Sequence, residues 1–188
     1  MKSYSPPQFV SVYHPFVRTL HWLMALIIFV ALGLGVWAAQ LPKGDLRSEV
    51  LFVHKSLGVA VLALIVVRVL ARLALRSPPY AEALGRLTDA ASKGGHLLLY
   101  GLMVALPLSG YVMSSAAGRE VSFFGLVTLP PLVGPDKALA GQAAETHEAL
   151  AWAIGIVLAL HLAAVVWHAW FKRDTVLTRM WPRFRPSA

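Results

Sequence analysis

The chain has 188 residues, of which 57% are hydrophobic and 14% charged, with a mean hydropathy of +0.64. A soluble domain carries about a quarter charged residues, so the composition is that of an integral membrane protein, and the length suits a single domain over 1–188. The net charge of +8 gathers at the ends of apolar runs, where it serves topology and lipid contact rather than nucleic acid. The absence of cysteine excludes disulfides, thiolate-held iron–sulfur clusters and covalently attached c-type haem.

In chain order, residues 1–15 are polar, contain Pro6, Pro7 and Pro15, and predict a short arm without secretory-signal character. A first span is expected at about 16–40, with no charge between Arg18 and Lys43 and with Trp22 and Trp37 near its ends as interface anchors. After the loop L-P-K-G-D-L-R-S-E, a second span covers about 50–75. It has His54 and Lys55 near its start and Arg68, Arg72 and Arg76 near its end. Its uncharged centre is short, so the flanking cations belong at the interfaces. A polar connection at 77–93 precedes a third span at about 94–117, with His96 at its start and Pro107 inside. The loop 118–145 is the longest and is expected to lie along the membrane surface. A fourth span at about 147–171 has no Asp, Glu, Lys or Arg from Ala149 to Phe171, and a basic tail follows it. The expected fold is all-α, a four-transmembrane-helix bundle.

Counting Lys and Arg by side, the N-terminal arm, the second connection and the tail are the basic side. The positive-inside rule then puts both termini in the cytoplasm. That topology assigns depths. His21 and His161 fall at an inner level and His54 and His147 at an outer one, while His96 and His168 lie on the inner side, beyond or beside the inner pair. The fourth span supplies a histidine to each level, because the 14 residues from His147 to His161 are close to four helical turns, about 21 Å along one face. His168 returns to that face after seven more residues, about 10 Å further on.

Ionisable rings within membrane spans are costly and usually functional. Two helices offering one histidine each at one depth can ligate a haem from both faces, so the four histidines predict two stacked haems forming an electron wire. A zinc site would gather four ligands at one point, whereas these split into two levels. His14, at a helix end, reads as an ordinary interfacial residue. For His96 and His168 the interfacial and functional readings are balanced.

At these residues the sequence resembles the bacterial cytochrome b-561 family of di-haem membrane cytochromes. The matching stretches are R-T-L-H-W at 18–22, H-K-S-L-G at 54–58, G-H-L-L-L-Y at 95–100, A-L-P-L-S-G at 105–110, T-H-E-A-L-A at 146–151, and L-H with W-H at 160–168. The resemblance implies two haem b groups in a bacterial inner membrane, one held by His21 and His161 and the other by His54 and His147. Among such proteins, the short stand-alone form and the tail F-K-R-D-T-V-L-T-R-M-W-P-R are similar to superoxide oxidase cytochromes. That similarity implies oxidation of superoxide at the periplasmic face and reduction of ubiquinone near the inner haem. His96, His168, Arg68 and Arg72 would then serve a quinone site or the haem propionates. Lys43, Arg47, Lys55, Arg119 and Lys137 are the candidate cations for steering superoxide, opposed by nearby acids. Two other readings remain. One is a membrane anchor passing electrons from a periplasmic dehydrogenase or hydrogenase partner. The other is a non-redox helical scaffold.

Overall fold

The computed structural model of the chain describes residues 12–75, 78 and 85–181. The arm before Val12, most of the S-P-P-Y connection and the tail beyond Trp181 lie outside the described residues, and with them Lys2, Arg76, Arg183 and Arg185. Four long helices carry the architecture: α1 (Pro15–Gln40), α2 (Asp45–Ala74), α3 (Arg86–Ala116) and α4 (Lys137–Val166). The last continues through a π-helical turn, Trp167–Lys172, and a short α5 (Val176–Met180) follows it. A hairpin of β1 (Val121–Phe123) and β2 (Val127–Leu129) lies between α3 and α4, with Val121 opposite Leu129 and Phe123 opposite Val127.

All four helices are long and apolar enough to cross a bilayer, at 26, 30, 31 and 36 residues when the π turn is counted with α4. Their outward faces are apolar and uncovered, with Leu97 74% and Trp152 71% exposed. Such a band would be a liability in water and is the expected surface toward lipid. Four crossings place the start of α1 and the end of α4 on the same side. The opposite side holds the hairpin.

Three boundaries differ from the sequence reading. α2 begins at Asp45 rather than about 50, α3 at Arg86 rather than about 94, and α4 at Lys137 rather than about 147. An apolar run marks the part of a helix that lipid must cover, and polar turns can continue the helix past it. At α4 the reason is local. Asp136 caps the helix, its Oδ1 accepting from the N–H groups of Ala138 (2.9 Å) and Leu139 (3.0 Å). The expected loop over 118–145 is therefore partly the first turns of α4 and partly the hairpin. The three-residue connection 124–126 turns at Phe124 and Gly125, both with positive φ (49° and 73°), and closes with the Leu126 N–H donating to the Phe123 carbonyl (2.9 Å).

Ser56 of α2 ties the hairpin down. Fully buried, it shares its one O–H between the carbonyls of Phe52 and Ser122 (2.9 Å each) and accepts from the Phe124 N–H (3.0 Å). The core between the helices is a layer of Leu20, Met24 and Ile28 against Val61 and Ile65, with Leu158 of α4 beside it. The i, i+4 spacing puts each set on one face.

Candidate haem sites

Two histidine pairs meet inside the bundle, one on each side of that core layer. On the hairpin side, His54 of α2 faces His147 of α4, with ring centroids 6.1 Å apart and planes at 87°. On the side of the chain termini, His21 of α1 faces His161 of α4 at 6.5 Å and 64°. All four rings are half-buried. With metal–nitrogen bonds of about 2 Å, and roughly 1 Å more to each ring centre, two imidazoles on opposite sides of one iron have centroids about 6 Å apart. Both pairs match that separation. The sequence reading paired these four residues, and the fold brings both pairs together.

The hairpin-side pair is held by backbone. His54 Nδ1–H donates to the Ala31 carbonyl (2.8 Å) and His147 Nδ1–H to the Leu106 carbonyl (3.0 Å), with Ser109 Oγ also 3.0 Å from His147 Nδ1. A carbonyl on Nδ1–H fixes the tautomer and leaves Nε2 with its lone pair, the usual outer partner of a ligating histidine. Each ring also lies in a notch made by a glycine of a neighbouring helix. A Cβ at Gly35 would stand 2.9 Å from His54 Cε1, and one at Gly110 would stand 2.9 Å from His147 Cε1. Beside the rings is an apolar cavity of about 50 Å³ walled by Ala31, Gly58, Val61, Pro107 and Ile154.

The terminus-side pair has side-chain neighbours instead. His96 of α3, an exposed residue, brings its ring to 5.5 Å from His161, so three histidines share this level. Arg68 is only 6% exposed. Its Nη2 lies 3.1 Å from His21 Nδ1, and its Nε donates to the Tyr100 hydroxyl (3.2 Å). Its Nη1 is buried without a hydrogen-bond partner among the described residues. A buried guanidinium with an orphaned N–H fits an anionic group such as a carboxylate. Arg72 lies over the Tyr13 ring at 5.1 Å, with Arg179 also against that ring at 5.3 Å.

His168 stands apart from both pairs, in the π turn, with Asp174 as its partner. His14 is an N-cap, its Nδ1 accepting from Phe16 N–H at 3.3 Å. Two of the candidate steering cations are engaged locally: Lys55 Nζ with the Glu120 carbonyl (2.5 Å) and Arg47 with the Leu41 carbonyl (3.5 Å). Arg119 lines an open cleft of about 280 Å³ on the hairpin side.

Sequence reasoning missed Ser56, Asp174, Tyr100 and the two carbonyls that orient the hairpin-side rings. Asp174 had a signal, since it is the only carboxylate side chain after Glu148. The carbonyls had none, because every residue offers one.

The donor set, the glycine notches and the orphaned arginine N–H together fit a flat, iron-bearing macrocycle with carboxylate arms. Comparison with known proteins points the same way. Residues 12–183 match the family model of prokaryotic cytochrome b561. The chain is 32% identical over 161 residues to cytochrome b561 homolog 2 of Escherichia coli K12, covering 85% of this chain and 86% of that protein. It is 28% identical over 170 residues to the probable superoxide oxidase CybB of Yersinia pestis, covering 88% of this chain and 93% of that protein. Cytochrome b561 homolog 1 of E. coli K12 is likewise 28% identical, over 168 residues, with 87% and 93% covered.

Proposed function

Because this chain belongs to the prokaryotic cytochrome b561 family, membrane electron-transfer proteins that carry haem b, we propose that it holds two haems and moves electrons from superoxide to ubiquinone across a bacterial inner membrane. His54 and His147 hold one haem on the periplasmic side, and His21 and His161 hold the other on the cytoplasmic side. The observation that carries this reading is the separation of the rings, 6.1 Å and 6.5 Å at two levels of one bundle. Both chain ends are cytoplasmic, a reading supported by the basic arm, second connection and tail.

Haem with two imidazole ligands has no open coordination site and passes single electrons with little rearrangement. The chain sets the conditions for that transfer. The Ala31 and Leu106 carbonyls keep the hairpin-side rings in one tautomer, and the walls beside them are apolar. Arg68 supplies a fixed positive charge at the terminus-side level and offers its free N–H to a propionate. Arg72 adds a second cation nearby.

The named activity of the Yersinia relative supports superoxide as the donor. Arg119 at the cleft wall, with Lys43 and Lys137 on the same side, forms the steering charge for a small anion. In balance, two superoxide ions give two oxygen molecules and two electrons, and one quinone takes those electrons with two protons to become quinol. His96 and His168, on the terminus side, bind the quinone oxygens and carry the protons.

Stopped-flow mixing of the purified protein with superoxide tests the reading. Rapid haem reduction is expected, followed by reoxidation when a short-chain ubiquinone is present. Haems that stay oxidised in superoxide yet are reduced by a co-purifying periplasmic dehydrogenase or hydrogenase would replace it with the anchor-subunit reading.

A further inference from the structure

The π turn at the end of α4 builds a feature that electron transfer alone does not require. A regular α-helix would carry residues 168–172 around the axis at about 3.6 per turn, whereas a π turn is wider and is found mostly at functional sites. Here it ends at Arg173, a non-glycine residue in the left-handed region (φ 53°), which reverses the chain. The reversal brings the Asp174 N–H to the His168 carbonyl at 3.2 Å and its carboxylate onto the His168 ring.

The two carboxylate oxygens have separate tasks. Oδ1 accepts from the N–H of Val176, the first residue of α5, at 3.0 Å. Oδ2 accepts from His168 Nδ1–H at 2.5 Å. Satisfying the Val176 N–H needs only Oδ1, which leaves the bond from Oδ2 to His168 with a task of its own. The pair is part-buried, the side chains being 16% and 27% exposed. It lies close enough to solvent to receive protons and is sheltered enough to hold one geometry.

The loop is also anchored to the helix that carries His21. The Trp22 indole N–H donates to the Met180 carbonyl (2.9 Å), Arg18 donates to the Trp181 carbonyl (3.0 Å), and Trp22 stacks edge-on against His21 at 5.5 Å. His168 follows His161 by seven residues, about 10 Å along the axis.

We propose that Asp174 is a positioning residue that holds His168 with Nδ1 protonated and Nε2 free, making the pair a proton-delivery dyad for the quinone. This rests on the quinone reading above. A carboxylate on Nδ1–H selects one tautomer and leaves the Nε2 lone pair free to take a proton. In each half of the reduction Nε2 gains one proton from water and gives it to a quinone oxygen, so His168 returns to its starting form. Two such transfers accompany the two electrons that reach the quinone through the protein, and the product is quinol.

The test uses the haem-loaded protein, reduced with dithionite so that the identity of the natural donor does not matter, then mixed with ubiquinone-1. Asp174→Asn should slow reoxidation about tenfold or more at saturating quinone, the range for removing an orienting partner, with KM little changed. Asp174→Glu should recover much of the rate, and the haem spectra of both should match wild type. Separately, the ¹⁵N spectrum of histidine-labelled wild type, with the His168 signal identified by its loss in His168→Gln, should show Nδ1–H. In Asp174→Asn that preference should be lost. Wild-type reoxidation with Asp174→Asn equally fast would overturn the dyad alone, as would an Nε2–H tautomer in wild type, a result that stands even if Asp174→Asn fails to accumulate. A wild type that ubiquinone-1 does not reoxidise would overturn the quinone reading, and the dyad's task with it.

Discussion

The two histidine levels are alike in spacing and unlike in construction. On the hairpin side the rings are held by main-chain carbonyls and seated against glycines of two other helices. On the terminus side they are surrounded by side chains: Arg68, Tyr100 and a third ring, His96. A backbone carbonyl cannot change its protonation and moves only with its helix. Side chains can exchange protons, pair with an anion or swing aside. The first construction suits a site that only relays an electron. The second suits a site where electron transfer must be joined to a ligand and to protons.

The largest test of this contrast is removal of a ligand. His54→Ala or His147→Ala should delete the hairpin-side haem, leave the terminus-side one, and abolish reduction by superoxide. Haem content per chain and stopped-flow absorbance check this. His168→Ala should do the opposite. Both haems stay, superoxide still reduces them, and reoxidation by quinone slows by about 10²-fold, the low end for losing a general acid–base group.

The glycine notches sharpen the comparison further. Gly35→Ala or Gly110→Ala puts a methyl group 2.9 Å from a ring carbon, which must tilt the ring or part the helices at a cost of about 1–3 kcal/mol. The spectrum of the hairpin-side haem should broaden or shift, with the terminus-side spectrum unchanged. A matched shift in both would mean that the two levels are not independently built.

The smallest effect is expected at Ser56→Ala. It leaves the Phe124 N–H without its acceptor and costs about 1–3 kcal/mol, read as a lower melting temperature. Both haems should be retained, because the hairpin covers the bundle without contributing a ligand.

Much of this was legible in the sequence. Each long apolar run became a helix, and the rings of the four histidines that the depth argument paired come together two by two, with His96 joining the terminus-side pair. A helix has a fixed rise, so residue spacing converts into depth once the direction of each span is set. The features that failed to show depend on things spacing does not encode. The early starts of α2, α3 and α4 lie in polar turns outside the lipid-covered stretch. The hairpin rests on two residues with positive φ and one buried serine. Arg68 was visible as a cation near a span end, but its approach to His21 depends on how α1 and α2 rotate against each other. Asp174 reaches His168 only because the helix widens and the chain then reverses through Arg173.

The most direct measurement is the haem content per chain of wild type, His147→Ala and His161→Ala, purified side by side. The account predicts two haems in wild type and one in each variant, with the two surviving haems spectrally different from each other. One haem in wild type, or two retained in either variant, would contradict it.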